Sequence, residues 1–349
     1  MSTHVAAWAH NIPTPQLFSQ STWEQLNASQ RGELFFFRQQ DILGVSCPKI
    51  QLAYFWYESL RSTLRGAQSA APIAAGEEVC AVPVKKMLSL YTLTNSSLAP
   101  LLTMLQESMA AESPRKVARA RQSTLDGRSL LAMFILRERA RERGDFVPYV
   151  QVVLTHDIRS VPMAMAPGSA AFEALSEFLK RKARHARALA LADYAKLKLT
   201  FHRFAKQLSD GIRCTSGVIG GAVPCPMEQL LEVFSEQRFL EAYAIVRARD
   251  WVLPMYNRET FMMVPIVDML NYGQVGLRVH FNDARHAFVM VATEAIPQGR
   301  ELLFYYGTMC KEAMIDLYGF TVAYARPCMG GSKSLVNGGA AGNRKRREQ

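Results

Sequence analysis

The sequence has little of what stabilises small secreted or metal-dependent folds. Its six cysteines (Cys47, Cys80, Cys214, Cys225, Cys310 and Cys328) form no CxxC pair and no cluster with histidine. That spacing argues against structural zinc and against a disulfide framework, and it predicts a reducing, intracellular compartment, with cytoplasm, nucleus and mitochondrion left open. No metal ligands are assigned. No apolar run approaches the ~20 residues needed to cross a bilayer, so no membrane partner is expected. The first 30 residues hold one acid, Glu24, and lack a charged stretch leading into an apolar one, so no secretory signal is predicted. There is no internal repeat and no nucleic-acid motif.

What the chain has in plenty is base. Lys and Arg total 41 against 30 acids, a formal charge of +11, and much of the excess sits in residues 115–121, 180–187 and 344–347. Such a balance favours acidic partners, nucleic acid or a ribonucleoprotein among them, although a solvated helix face and a flexible tail account for the same runs. With 49% apolar and 20% charged residues, the composition is that of a globular protein able to bury a sizeable core.

Periodicity divides the chain. Residues 1–39 form an N-terminal extension, and 40–90 are mixed, with a turn at Gly76-Glu77 and a buried strand expected at residues 79–84. Residues 91–250 read as helical. Leu130, Met133, Phe134, Ile135 and Leu136 make one apolar face, and Gly144 stops that helix. Phe172, Leu175, Phe178 and Leu179 recur at helical spacing, with the basic run expected on the same helix. A further helix is predicted from Pro226 or Met227 through Arg249. Over 251–327 the period shortens: "FMMVPIVDML", "LRVHF", "AFVMVAT" and "ELLFYY" are strand candidates separated by turn-forming segments. A short helix is expected over residues 310–317, and 328–349 are a basic, Gly-rich tail.

Three fragments in order carry the chemistry: "VPIVDMLNY" (264–272), "AIPQGRELLFYYG" (295–307) and "DLYGF" (316–320). Together they resemble the C-terminal half of SET-domain methyltransferases, in the subfamily of Rubisco large-subunit lysine and actin-histidine methyltransferases. Upstream, "AYAIVRARDW", "LLAMFILRERARERGDFVPYV", "IAAGEEVCAVP" and "GVSCPKI" extend the similarity to roughly residues 40–327. The resemblance implies an α+β fold: a SET core of small β-sheets with a pseudoknot-like C-terminal segment, interrupted by a helical insert at 91–250. It implies an S-adenosylmethionine cofactor and a protein acceptor, lysine rather than histidine. The alternative is a SET-fold scaffold or assembly factor with weakened catalysis.

By the same resemblance Tyr306 is the catalytic tyrosine, and Asn271, Tyr272, Arg249 and Gly66 hold the cofactor. Two departures stand out. Tyr272 occupies the place of a family histidine, and only Gly66 remains of a Gly-x-Gly segment in "LRGA". The family's C-terminal helical substrate-binding domain has no counterpart after residue 327. Read as residues alone, Asn271 could be a turn-former, Arg249 a favourable charge at a helix end, and Asp268 a structural carboxylate. Alternation along "FYY" puts Phe304 and Tyr306 on one face and Tyr305 elsewhere.

Overall fold

The computed structural model describes residues 26–42, 44–57, 62–110, 125–141, 144–153, 158–212, 225–255, 258–273, 276–322 and 325–328. The basic runs at 115–121 and 344–347, and most of the N-terminal extension and tail, lie outside these residues. No helix among the described residues is long and apolar enough to cross a membrane. The chain divides into two compact units: one of Met1–Met87, Asp250–Thr308 and Ser332–Gln349, the other of Leu88–Arg249 and Met309–Gly331.

The first unit is built of small sheets after one helix, α1 (Ala28–Ile42). Its strands are β1 (Ile50–Tyr57), β2 (Ser62–Ser69), β3 (Glu78–Pro83), β4 (Trp251–Met255), β5 (Arg258–Met263), β6 (Asn271–Tyr272), β7 (Leu277–Asn282), β8 (Ala287–Ala292) and β9 (Glu301–Phe304). One sheet runs β1-β2-β9-β6, a second β3-β8-β7, and β4 pairs with β5 as an antiparallel hairpin. The central β8, "AFVMVA", is buried at five of six positions, whereas its neighbour β7, "LRVHFN", has only Leu277 fully buried. A strand flanked on both sides loses the polar alternation that an edge strand keeps. Trp251 packs its indole against Phe304 (4.6 Å between centroids) and Phe288 (5.4 Å), all three buried. That cluster fixes the end of β9.

The second unit is helical: α2 (Leu90–Thr94), α3 (Ala99–Ala110), α4 (Gly127–Ala140), α5 (Val147–Val153), α6 (Ala170–Glu173), α7 (Glu177–Lys198), α8 (Ala205–Ser209), α9 (Met227–Val233), α10 (Glu236–Arg249) and α11 (Lys311–Tyr318). The apolar face read in α4 is buried from Leu131 to Leu136. Asp126 caps that helix by accepting from the Arg128 N–H (3.0 Å), and its other oxygen accepts from the Tyr243 hydroxyl (2.8 Å). Burial, with Asp126 alongside, pushes the Tyr243 phenol well above its ordinary value. Arg137, 2% exposed, gives hydrogen bonds to Glu138 (2.8 Å), Ser97 (2.6 Å) and Asp210 (3.0 Å). Arg141 also reaches Glu138, at 2.9 Å.

Several sequence expectations need correction. The helix expected to join Phe172 to the basic run is two helices, α6 and α7, because Ser176 caps α7 by accepting from the Leu179 N–H. Within that run Lys180 is buried and bridges Glu173 (2.9 Å) and Glu177 (3.1 Å), so it is no solvated charge. The helix expected up to Arg249 is likewise broken, into α9 and α10. "FMMVPIVDML" is strand only to Met263, then turns through a 3-10 helix at Val267–Met269. The cysteines are the largest correction. Among the described residues no free cysteine remains: Cys47 pairs with Cys80, Cys310 with Cys328, and Cys225 is also disulfide-bonded. Cys47 and Cys80 stand 33 residues apart, but a bridge between Ser46 and Ala81 sets their chains side by side. Linear spacing could not reveal this, so the cysteine argument for a reducing compartment loses its footing.

Candidate cofactor and acceptor site

Four of the five residues singled out in the sequence converge in the first unit. They do so because β9 lies between β2 and β6. Leu302 pairs with Ala67 of β2 in antiparallel register, while Leu303 and Phe304 pair with Asn271 and Tyr272 of β6 in parallel. Gly66, one residue from Ala67, therefore stands across β9 from Asn271.

The contact between them is close. A Cβ at position 66 would meet Asn271 Nδ2 at 2.7 Å and Glu301 Oε1 at 2.9 Å. A side chain at position 66 would have to displace the Asn271 amide and the Glu301 carboxylate. The Asn271 amide donates to the Glu301 carboxylate (2.9 Å) and to the Arg65 carbonyl (3.3 Å), tying the strands together. Asn271 is thus no mere turn-former. Its Nδ2 hydrogens are engaged within the protein.

The chain reaches Asn271 through an unusual turn. All of residues 264–270 are buried, and Ile266 adopts φ 73°, ψ −52°. For a β-branched residue positive φ costs on the order of 1–3 kcal/mol, and it persists only where its surroundings over-determine it. Here the Asp268 N–H donates to the Val264 carbonyl (3.0 Å) and the Met269 N–H to that of Ile266 (3.1 Å). The turn aims the Leu270 carbonyl at Tyr306, whose hydroxyl donates to it at 2.6 Å.

Tyr306 follows the anchored end of β9 and is half-buried. Tyr305 is exposed and bonds Thr308 through its hydroxyl (2.7 Å); both tyrosines lie past the end of β9, where strand alternation no longer governs them. Tyr272 fills the space between, its ring edge-on to Tyr306 (5.4 Å) and tilted against Tyr305 (6.0 Å). The result is an aromatic wall with a phenol held in one orientation by a backbone carbonyl. A phenol that donates its proton can still accept an N–H or a polarised C–H.

The fifth residue, Arg249, belongs to the other unit. It is the last residue of α10 in the second unit, two residues beyond Arg247, which pairs with Asp316 at 2.6 Å. Sequence reasoning passed over Glu301, which lay inside a quoted fragment as the acid following Gly299-Arg300, and the backbone carbonyls of Arg65 and Leu270, for which side-chain identity carries no signal.

No protein-family profile matches the chain, and no curated protein matches it. Solved structures do. It is similar to the SET domain of LSMT bound to lysine and AdoHcy, with 14% identity over 84% of this chain and 58% of that one, TM-score 0.48. It is also similar to Rubisco LSMT bound to sinefungin and monomethyllysine (14% identity, 84% and 57% covered, TM-score 0.46) and to Rubisco LSMT bound to AdoMet (12%, 84% and 57%, TM-score 0.44). The chain spans less than two thirds of the length of these structures.

Proposed function

We propose that this chain is an S-adenosylmethionine-dependent protein N-methyltransferase of the SET type, acting on a lysine side chain. The observation that carries the reading is the hydrogen bond from Tyr306 to the Leu270 carbonyl. It ties the tyrosine of one resembling fragment to the residue before the asparagine of another, with Gly66 held against that asparagine.

When bound, S-adenosylmethionine would supply a methyl group on a sulfonium, and its departure leaves a neutral thioether. The chain's part is positioning and exclusion of water. Gly66, Asn271 and Tyr272 would line the cofactor side. The Tyr272–Tyr306 wall would flank the acceptor amine, where an apolar channel lowers a lysine pKa and yields the neutral nucleophile. The Tyr306 oxygen would accept from that amine or from the transferring methyl. The proton lost by the amine goes to solvent.

A second reading is favoured by one observation: the Asn271 Nδ2 hydrogens are taken by Glu301 and Arg65. In that reading the strands retain a SET arrangement for scaffolding, with a basic surface for an acidic or ribonucleoprotein partner.

Methyl transfer from radiolabelled S-adenosylmethionine to a protein pool, followed by amino-acid analysis, tests the first reading. It predicts label in methyllysine and a drop of on the order of 100-fold or more in Tyr306→Phe with folding intact. Equal labelling by wild type and variant would sink the role given to Tyr306. Label in methylhistidine would replace lysine as the acceptor.

A further inference from the structure

The sequence assigns no metal, yet the second unit brings together three groups suited to one. Cys310 is the N-cap of α11 and Glu312 lies in its first turn. The chain returns eighteen residues later, where the Lys311 N–H donates to the Arg326 carbonyl (2.8 Å) and the Cys328 N–H to Glu312 Oε2 (2.7 Å). The Cα atoms of Cys310 and Cys328 stand 5.0 Å apart. Their sulfurs and a Glu312 oxygen all lie within 4.8 Å of one another.

We propose that this clasp is a redox-gated site for a thiophilic divalent cation, zinc in the first instance. With the sulfurs joined, the disulfide closes the clasp covalently and the site is shut. An external dithiol opens it: one of its thiolates attacks the Cys310–Cys328 bond and forms a mixed disulfide, which its second thiol resolves. The dithiol leaves oxidised, and Cys310 and Cys328 are left as thiols. On binding the ion each thiol releases its proton to solvent. Two thiolates and the Glu312 carboxylate make three ligands, with water as the fourth, a set that suits tetrahedral zinc.

Two features single out this pair. Both cysteines and Glu312 are half-buried, so a dithiol can reach them, and accessible disulfides are the labile ones. Cys47–Cys80 is 0% and 1% exposed, and among the described residues Cys310, Glu312 and Cys328 form the one cluster of this kind. The hydrogen bond from Cys328 to Glu312 holds the carboxylate at the clasp in the closed state, so opening requires little more than separation of the sulfurs.

The test uses the full chain. Protein reduced with a phosphine under anaerobic conditions is titrated with zinc chloride against a chromophoric chelator, and thiol alkylation is mapped by mass spectrometry with and without zinc. The expected result is one equivalent of zinc, zinc-dependent protection at Cys310 and Cys328 only, and no uptake by oxidised protein. Glu312→Gln, which leaves both cysteines in place, weakens binding at least about tenfold, as even outer-shell changes do. Absence of uptake by the reduced wild type overturns the proposal, as does zinc-dependent protection at other cysteines. The protection experiment needs no variant, so a misfolded mutant cannot obscure the answer.

Discussion

The two units bury polar groups in different ways, and the difference separates stability from function. In the second unit each buried cation is paired: Arg137 with buried Glu138 and with Asp210 at the surface, and Lys180 with the exposed Glu173 and Glu177. Each sits within or beside a helix whose apolar face already fixes its place. In the first unit the polar groups gather at the ends of β6 and β9, beside a positive-φ isoleucine and a glycine with no room for a side chain. That unit accepts backbone strain to orient one phenol and one amide, as binding sites do. Paired charges inside a helical packing mark support; strained backbone converging on oriented polar groups is what the proposed site would use.

The contrast breaks most readily at Arg137. Replacing it with alanine leaves Glu138, 1% exposed, with Arg141 in place of two arginines and should cost about 3 kcal/mol, the low end for breaking a buried pair, read as a lowered midpoint in urea unfolding. Burial pulls the Arg137 guanidinium below its ordinary value while Glu138 and Asp210 oppose that pull. A loss below about 1 kcal/mol would place Arg137 among the weakly coupled surface pairs.

Gly66→Ala should cost about 1–3 kcal/mol through overpacking against Asn271 and Glu301. Adding Asn271→Ala should recover part of that loss, a coupling that a double-mutant cycle measures. Simple additivity would mean that the close approach relaxes elsewhere.

Tyr243→Phe sharpens the other side. Loss of its hydrogen bond to the Asp126 carboxylate should cost about 1.5 kcal/mol at neutral pH. The folded phenol resists ionisation, whereas the unfolded one ionises near pH ~10. Stability linked to Tyr243 is therefore present in full below that pH and lost as pH rises toward the folded value, because the unfolded state releases its proton first. Wild type should lose stability above pH ~10 faster than Tyr243→Phe, and parallel curves would refute the assignment. The smallest effect expected is at Ser176, where alanine removes the cap of α7 for about 1 kcal/mol in thermal melts.

Much of the fold was legible. α4 and β8 read as apolar runs in the sequence, and the end of α11 follows from Gly319 at φ 75°. Where prediction ran two helices together, at residues 174–176 and 234–235, a capping serine or a short turn interrupts an apolar pattern that continues in phase. The site was legible as residue types in order, and Gly66, Asn271, Tyr272 and Tyr306 do meet. Their partners were not, because a strand register sets Glu301 beside Asn271, and the turn at Ile266 exists only in the backbone. The cysteine pairs were hidden for the same reason. Spacing in sequence reports proximity only within an element, whereas Cys47–Cys80 and Cys310–Cys328 are brought together by chain returns of 33 and 18 residues.

The central claim is that the Gly66–Asn271–Tyr306 arrangement is a working cofactor site, and calorimetric titration of the full chain with S-adenosylmethionine tests it most directly. The account predicts micromolar, one-to-one binding that is lost in Asn271→Ala while the variant stays folded. Absence of heat at millimolar ligand, or binding indifferent to Asn271, would contradict it and leave the scaffold reading in its place.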